Sequence, residues 1–509
     1  MLSRSSTADF RRAAGRLALG LGLLLAPSCT DRFEEINTDP TKAANATPDQ
    51  LFARALKYGA LYDNDFQVGE HLHANMWVQF FANAKPEFNT DRYESNDTWS
   101  STFWASFYAG FGMDLQQAIR LLQPDPTQVN RLSQARIWRA FLFQRITDYW
   151  GDVPYTEAFA GAGANVQPAY DRQEAIYHDL MGELTAAEAA LDDTQAENFG
   201  PADLLYANPR AANPAPDAVT SNRRWRHFAN SLRLRLAMRL SAVAPALAEQ
   251  QVRAALASGV MSSTAESAVM RNTGEGIRIT QNPLAVVLLF KDSRVSATLV
   301  SYLRRLHDPR LAVYVAPVSD ANPSLAGLPN GLSATELTLP QYNPSNFSLA
   351  GARFSNPAHD QNLLTYAEVC FLRAEACLRG WDATGTAEQW YTTGVREALQ
   401  QAGINAPAAQ DEYLRQPGVQ FELGRALELI ITQKWLSLFG HNGFEAYAEY
   451  RRTGFPVLQP ISNLGETTGQ VPLRLRYPLS ERLFNSVSYL QAVSHQGPDL
   501  LTTPVWWDK

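Results

Sequence analysis

Three kinds of side chain in this sequence could do chemistry: one thiol behind an apolar leader, a set of aromatic and amide side chains, and scattered carboxylates. The thiol is Cys29. Ahead of it, Arg4, Arg11, Arg12 and Arg16 form a positive stretch, and Leu17 to Ala26 an apolar one of secretory-signal length. Spanning a bilayer takes roughly 20 apolar residues, which this run does not supply. A small residue before cysteine (Ser28-Cys29), followed by the acid-rich Thr30-Asp31-Arg32-Phe33-Glu34-Glu35, reads as a lipoprotein signal: cleavage before Cys29 and acylation of its sulfur. Pro27 stands where such signals carry a small residue, and the alternative is an ordinary signal peptide that contains a cysteine. The expected division is a signal peptide over 1–28, a lipidated leader over 29–47 and a single domain over 48–509.

The aromatic and amide residues suit capture of a sugar or a peptide. A flat ring covers the apolar side of a pyranose, while amides, carboxylates and arginine hydrogen-bond its hydroxyls. The stretch 75–99 has that character through Asn75, Trp77, Gln79, Phe80, Asn89, Tyr93, Asn96 and Trp99. A later irregular stretch adds Asp292, Arg294, Tyr342, Asn346, Phe347 and Arg353. The alternative for each is packing of these segments against helices. Trp104, Phe107, Tyr108 and Phe111 read as core.

Bond chemistry finds little support. His71 and His73 are two apart and on a helix point to different faces. Asp63-Asn64-Asp65 starts like a calcium loop, but Gln67 and Val68 break the run of oxygen ligands. The sequence holds no GxSxG elbow and no GxxxxGK[ST] loop. Any two of its carboxylates could be a glycosidase pair, which is recognised by a spacing in space that sequence does not give. No catalytic residue, metal or cofactor is expected. The net charge is −7, and the leader's four arginines and Asp9 bring the processed chain to −10, a poor match to nucleic acid or anionic lipid. Membrane attachment therefore rests on Cys29 alone. Cys370 and Cys377 lie seven apart in one expected helix, about 10 Å apart, too far for a disulfide.

Helices must position these residues. Trp138, Leu142, Ile146 and Tyr149 form an apolar stripe, as do Ala229, Leu232, Leu236 and Leu240, with Arg235 and Arg239 on another face; Ala367, Phe371, Ala374 and Leu378 form a third. Further helices are expected near 48–62, 100–122, 173–191, 246–258, 386–402 and 421–439. Gly151 and Pro154 stop the helix that ends at Trp150. Helix pairs with short turns are the mark of a helical-repeat protein, here without a fixed 34-residue period. The segments 63–99, 260–360 and 453–509 break the pattern, and the first two are expected to face a ligand.

The motifs also resemble a family in their order. Cys29 followed by Phe33-Glu34-Glu35-Ile36-Asn37-Thr38-Asp39-Pro40 resembles the start of the SusD/RagB nutrient-binding lipoproteins of Bacteroidetes. Asp148-Tyr149-Trp150-Gly151-Asp152-Val153-Pro154-Tyr155, Phe228 to Arg235, Asp308-Pro309-Arg310, Tyr366-Ala367-Glu368 with Ala374-Glu375-Ala376, Gln433-Lys434-Trp435, Arg451-Arg452-Thr453-Gly454, Tyr477-Pro478 and Val505-Trp506-Trp507-Asp508 follow in the family's sequence. The resemblance implies a mainly α fold of four tetratricopeptide-like helix pairs with a large loop-rich insertion. It also implies a lipid-anchored outer-membrane protein facing the cell exterior. Such a protein acts as a hinged lid that hands oligosaccharides or peptides to a SusC-like TonB-dependent transporter. A surface glycan-degrading enzyme and a helical-repeat scaffold that binds only protein are the rival readings.

Overall fold

The computed structural model describes residues 46–160, 166–206 and 218–509. Cys29, the expected signal peptide and the leader up to residue 45 lie outside the described residues. The long helices are α1 (Pro48–Gly59), α2 (Asp97–Ser106), α3 (Gly112–Leu122), α4 (Val129–Trp150), α5 (Gln173–Ala190), α6 (Ala218–Arg239) and α7 (Pro245–Ser258). They continue with α8 (Tyr366–Leu378), α9 (Ala387–Gln401), α10 (Ala426–Leu438), α11 (Gly443–Thr453), α12 (Leu479–Phe484) and α13 (Ser486–Gln496). α1 packs on α3, α3 on α4, α4 on α5, α5 on α6, and α6 on both α7 and α8; α8 then packs on α9 and α10, and α10 on α11. Four successive pairs, α4–α5, α6–α7, α8–α9 and α10–α11, thus build the helical scaffold, and Pro48–Lys509 form one compact unit.

Local chemistry starts and stops these helices. Asn96, Thr365 and Asn442 accept the N3 backbone N–H at the starts of α2, α8 and α11, and Thr386 with Gln389 makes a reciprocal capping box on α9. α4 ends at Gly151, whose φ of 82° is open to glycine. A Cβ there would also lie 1.7 Å from Gln496 Oε1, the oxygen that accepts the Asp152 N–H. The side chain of Gln496 in α13 is thereby docked on the end of α4.

Six short strands pair in three antiparallel ladders among the described residues: β1 (Phe81–Asn83) with β5 (Ser293–Val295), β2 (Val153–Pro154) with β3 (Tyr170–Asp171), and β4 (Ala268–Met270) with β6 (Gln361–Leu364). The first ladder ties the 75–99 stretch to the later insertion.

The centre of the scaffold is charged. Arg235 and Arg239 of α6 are as buried as the apolar stripe beside them. Arg235 donates to both oxygens of Glu368 in α8 at 2.8 Å. Arg239 donates to Glu445 at 2.6 Å and Glu449 at 2.5 Å in α11, and Lys434 of α10 to Glu445 at 2.7 Å. Arg452 of α11 grips Glu375 of α8 at 2.6 and 2.8 Å and Glu449 of its own helix at 2.9 Å. Arg451 donates instead to the carbonyls of Asp148 and Leu473. Burial pushes the Glu445 carboxyl up, but Arg239, Lys434 and Arg235 more than offset it and hold its pKa below the ordinary value.

The expected irregular segments contain helices. Asp63–Phe66 runs into a nine-residue π-helix, Gln67–Asn75. Pro283–Leu288 and Ala297–Arg305 are helical, and α12 and α13 lie within 453–509. The π-helix repeats at i→i+5 and leaves no 3.6-residue stripe, and the others are too short to show one. The apolar stripe of α11 is short, Phe444, Tyr447 and Ala448, because Glu445, Glu449 and the two arginines also turn inward.

Removing one partner of a buried ion pair leaves an uncompensated charge and costs about 3–5 kcal/mol. Glu445→Gln is therefore expected to lower the urea midpoint severely, while Glu412→Gln, in an exposed pair with Arg415, leaves it within error; equal effects would contradict this account.

Candidate functional site

Of the residues singled out as ligand contacts, half are buried. Trp77 is fully enclosed and its indole N–H donates to the Thr90 carbonyl at 3.0 Å. Gln79 bridges the Gln459 backbone, giving its Nε2–H to the carbonyl at 2.7 Å and accepting the amide N–H at 3.1 Å. Tyr93 is buried with φ at 59°, and Asn75 and Phe80 are likewise enclosed. Asp292 is taken by Lys85 at 2.8 Å. Arg294 donates to the carbonyls of Pro344, Lys291 and Ser293. Asn96 caps α2, and Trp99 sets its ring edge against Phe88 and His73. Tyr342 and Phe347 cover a small apolar cluster of Ala82, Ala84, Leu328, Leu332 and Leu337. Ladder β1–β5 does bring the two stretches together, but around a packed interior. Trp77, Gln79, Tyr93, Asp292 and Arg294 present no open face to a ligand here, because they fasten the insertion to the helices. Arg353 is half-buried and faces a separate cleft with His359 and His441. Trp507 anchors the end of the chain, its N–H on Asp148 at 2.8 Å.

The open aromatic cleft lies next to them, at the end of α1. Arg54, Tyr58, Tyr62, Asn64, Asp65 and Ser106 line a cleft of about 450 Å³, within the range of small-molecule sites. Two other clefts match it in size. One, about 470 Å³, is lined by Arg120, Arg136 and Arg139 and offers no ring; the other, about 380 Å³, holds one large ring, Trp506, with His495, Ser494, two glutamines and charged side chains. Of these three, the first sets two tyrosine rings in contact with each other beside hydroxyl and amide groups.

Its walls follow from the backbone. Leu61, with φ at 68°, turns the chain after α1 so that the half-buried rings of Tyr58 and Tyr62 meet edge to face, centroids 4.6 Å apart. The Arg54 guanidinium lies over Tyr58 at 4.7 Å and pairs with Asp114 of α3. Ser106 donates to Asp65 at 2.7 Å. The opposite wall is a second π-helix, Phe107–Phe111, in which Gly110 has φ −127° and ψ −111°, outside the regions open to other residues. A Cβ on Gly110 would meet nothing within 4 Å, so this position is set by backbone shape rather than crowding. π-helical segments often accompany function, and this cleft lies next to two. Just behind it, Lys57 donates to Asn272 at 2.7 Å, and burial lowers its pKa to about 8.

Asn64 and Asp65 fall inside the span expected to face a ligand; Arg54, Tyr58 and Tyr62 do not. The signal that could have found them is a tyrosine pair at i, i+4 running into Asp63-Asn64-Asp65. Among the described residues no three His, Cys, Asp or Glu side chains gather as a metal site.

A helical-repeat scaffold with an open cleft of paired rings and short polar side chains has the chemistry of a binding site. The sequence matches, over residues 40–478, the SusD-like family described as starch-binding and associating with the outer membrane. The chain belongs to that family. Solved structures agree. A chitin-binding SusD homolog from Flavobacterium johnsoniae is 27% identical with a TM-score of 0.78, covering 91% of this chain and 98% of its own. A SusD homolog from Bacteroides vulgatus is 26% identical with a TM-score of 0.79, covering 91% and 97%. A further chitin-binding protein is 28% identical with a TM-score of 0.78, covering 91% and 100%. No curated protein sequence matches the chain.

The π-helix Gln67–Asn75 buries two histidines beside this site. Burial holds His71 down to about 3, and His73 to about 4 despite its bond to the Val68 carbonyl. Both stay neutral in the fold while the unfolded chain takes up protons below its ordinary value near 6.5. Their stabilising effect is therefore full above that value and drains as pH falls toward the folded pKa. Between pH 7 and 5 each histidine should cost about 2 kcal/mol. In His71→Gln the melting temperature should fall less over that interval than in the wild type; an unchanged slope would count against the assignment.

Proposed function

We propose that this protein is a cell-surface lipoprotein that captures oligosaccharides and passes them to a SusC-like TonB-dependent transporter, acting as a lid rather than as an enzyme. The observation that carries the reading is the cleft of Tyr58 and Tyr62 with Arg54, Asn64, Asp65 and Ser106, in a fold whose solved relatives include a chitin-binding SusD homolog. The rings offer faces to pyranose carbons. Ser106 and Asn64 reach ring hydroxyls, and Arg54 and Asp65 fix their direction. Cleft size fits a short oligosaccharide segment, and its openness suits release, which delivery requires. Acylated Cys29 would keep the protein beside its transporter, raising local concentration. No described helix is long and apolar enough to cross a membrane, which accords with an anchor at Cys29.

Calorimetry of the processed chain against chitin and starch oligosaccharides, with peptides as a separate arm, should give binding to at least one glycan. Tyr62→Ala should weaken it about tenfold or more, with the circular dichroism spectrum unchanged. Release of reducing ends from any of these glycans, or binding to peptides alone, would overturn the proposal.

Cys29→Ser is expected to release the protein from the membrane fraction and leave solution affinity for glycan unchanged. Co-purification from outer membranes should recover the transporter with the wild type; isolation as a free monomer would argue against the lid.

A further inference from the structure

A second cleft, of about 160 Å³, opens where ladder β4–β6 meets the end of α9 and the turn between α10 and α11. Its lining gathers several buried nitrogen groups that lack partners, beside a single carboxylate, Asp360. Arg271 follows β4, Arg353 and His359 precede β6, Gln401 ends α9, and His441 sits in the α10–α11 turn. Arg271 Nε, Arg353 Nε, His359 Nε2, Gln401 Nε2 and His441 Nδ1 are all buried without a hydrogen-bond partner among the described residues. His441 is 6% exposed, so its nitrogen has no water to fall back on. Unpaired buried polar atoms are costly and rare. The three N–H groups of Arg271, Arg353 and Gln401 ask for an acceptor, and the two imidazole nitrogens can join them in the tautomer that donates.

Charge points the same way. Arg271 is matched by Asp360, also in the cleft. Arg353 has no carboxylate partner among the described residues; its Nη2 donates to the Gln401 carbonyl at 2.7 Å. Glu397, at the rim, is held by the Thr264 hydroxyl. The two imidazoles lie 5.4 Å apart, and each is held in its neutral form, first by burial and also by Arg353. With Asp360 taken by Arg271, the Arg353 guanidinium beside the two imidazoles would be stabilised by a bound anion.

We infer that this cleft binds a tetrahedral oxyanion, a sulfate or phosphate group. The donors arrive from four separate segments rather than in one plane, which suits four oxygens better than the two of a carboxylate. The volume admits one such group and little more, so an ester would enter by its charged end with the rest of its molecule outside. The cleft shares no lining residue with the tyrosine cleft, and this inference stands independently of the glycan reading.

Calorimetry of the processed chain at constant ionic strength tests it, with sodium sulfate, sodium phosphate, N-acetylglucosamine 6-sulfate and N-acetylglucosamine as titrants. Binding of an oxyanion in the low millimolar range or tighter, weakened about tenfold by Arg353→Gln, is expected. Tighter binding of the sulfated sugar than of inorganic sulfate would assign the source as an ester, and equal binding a free ion. Equal binding of the sulfated and unsulfated sugars with no response to sulfate or phosphate would overturn the site. Should Arg353→Gln fail to fold, crystals of the wild type soaked in selenate decide: an anomalous peak within hydrogen-bond reach of Arg353 Nε and His441 Nδ1 supports the site, and an empty cleft refutes it.

Discussion

Five helices of this protein meet at charges that have no access to water. α4, α6, α8, α10 and α11 contribute Asp148, Arg235, Arg239, Glu368, Glu375, Lys434, Glu445, Glu449 and Arg452, and no one of these is satisfied by a single neighbour. Lys434 alone reaches Glu445, Glu449 and Glu368. Taking such groups out of water costs several kcal/mol per ion, returned only if the geometry is good. An apolar core tolerates small slides of one helix along another. Here a slide of one residue would break several short charge-assisted bonds at once. The network therefore sets which helix pairs adjoin and in what register, and the clefts at the surface inherit their shape from it.

That arrangement explains what could be read from the residues alone. α4, α6 and α8 announce themselves because Trp138, Leu232 and Phe371 sit in regular stripes. α11 does not, because its apolar stripe is short and it also turns inward glutamates and arginines whose partners lie on helices far away in the chain. The motif residues Glu368, Glu375, Arg451 and Arg452 stand out in the sequence, but their exchange of partners across α8, α10 and α11 does not, since pairing at long range leaves no local trace. The π-helix Gln67–Asn75 was hidden because its repeat matches no stripe.

The aromatic residues carry a related lesson. Composition correctly marks 75–99 as rich in rings and amides, but composition does not distinguish a ring that faces a ligand from one that closes a core. Trp77 finds an acceptor in Thr90 and Gln79 finds two groups on Gln459, so these polar atoms are spent internally. Tyr58 and Tyr62 remain half open because a single left-handed residue, Leu61, redirects the chain at the end of α1. Whether a side chain is available thus depended on one backbone angle that the residue type does not advertise.

The docking of Gln496 on the end of α4 has a consequence for how the protein is made. Gln496 takes the Asp152 N–H and gives its own to the Trp150 carbonyl, while Trp507 donates to Asp148 and receives contact from Arg239 and Arg451. The first helix pair is thus completed by segments more than three hundred residues further along. Contacts of such long sequence separation are slow to form, since the loop must close before they stabilise anything. The packing of the first helix pair can therefore be completed only after the last residues of the chain have been added.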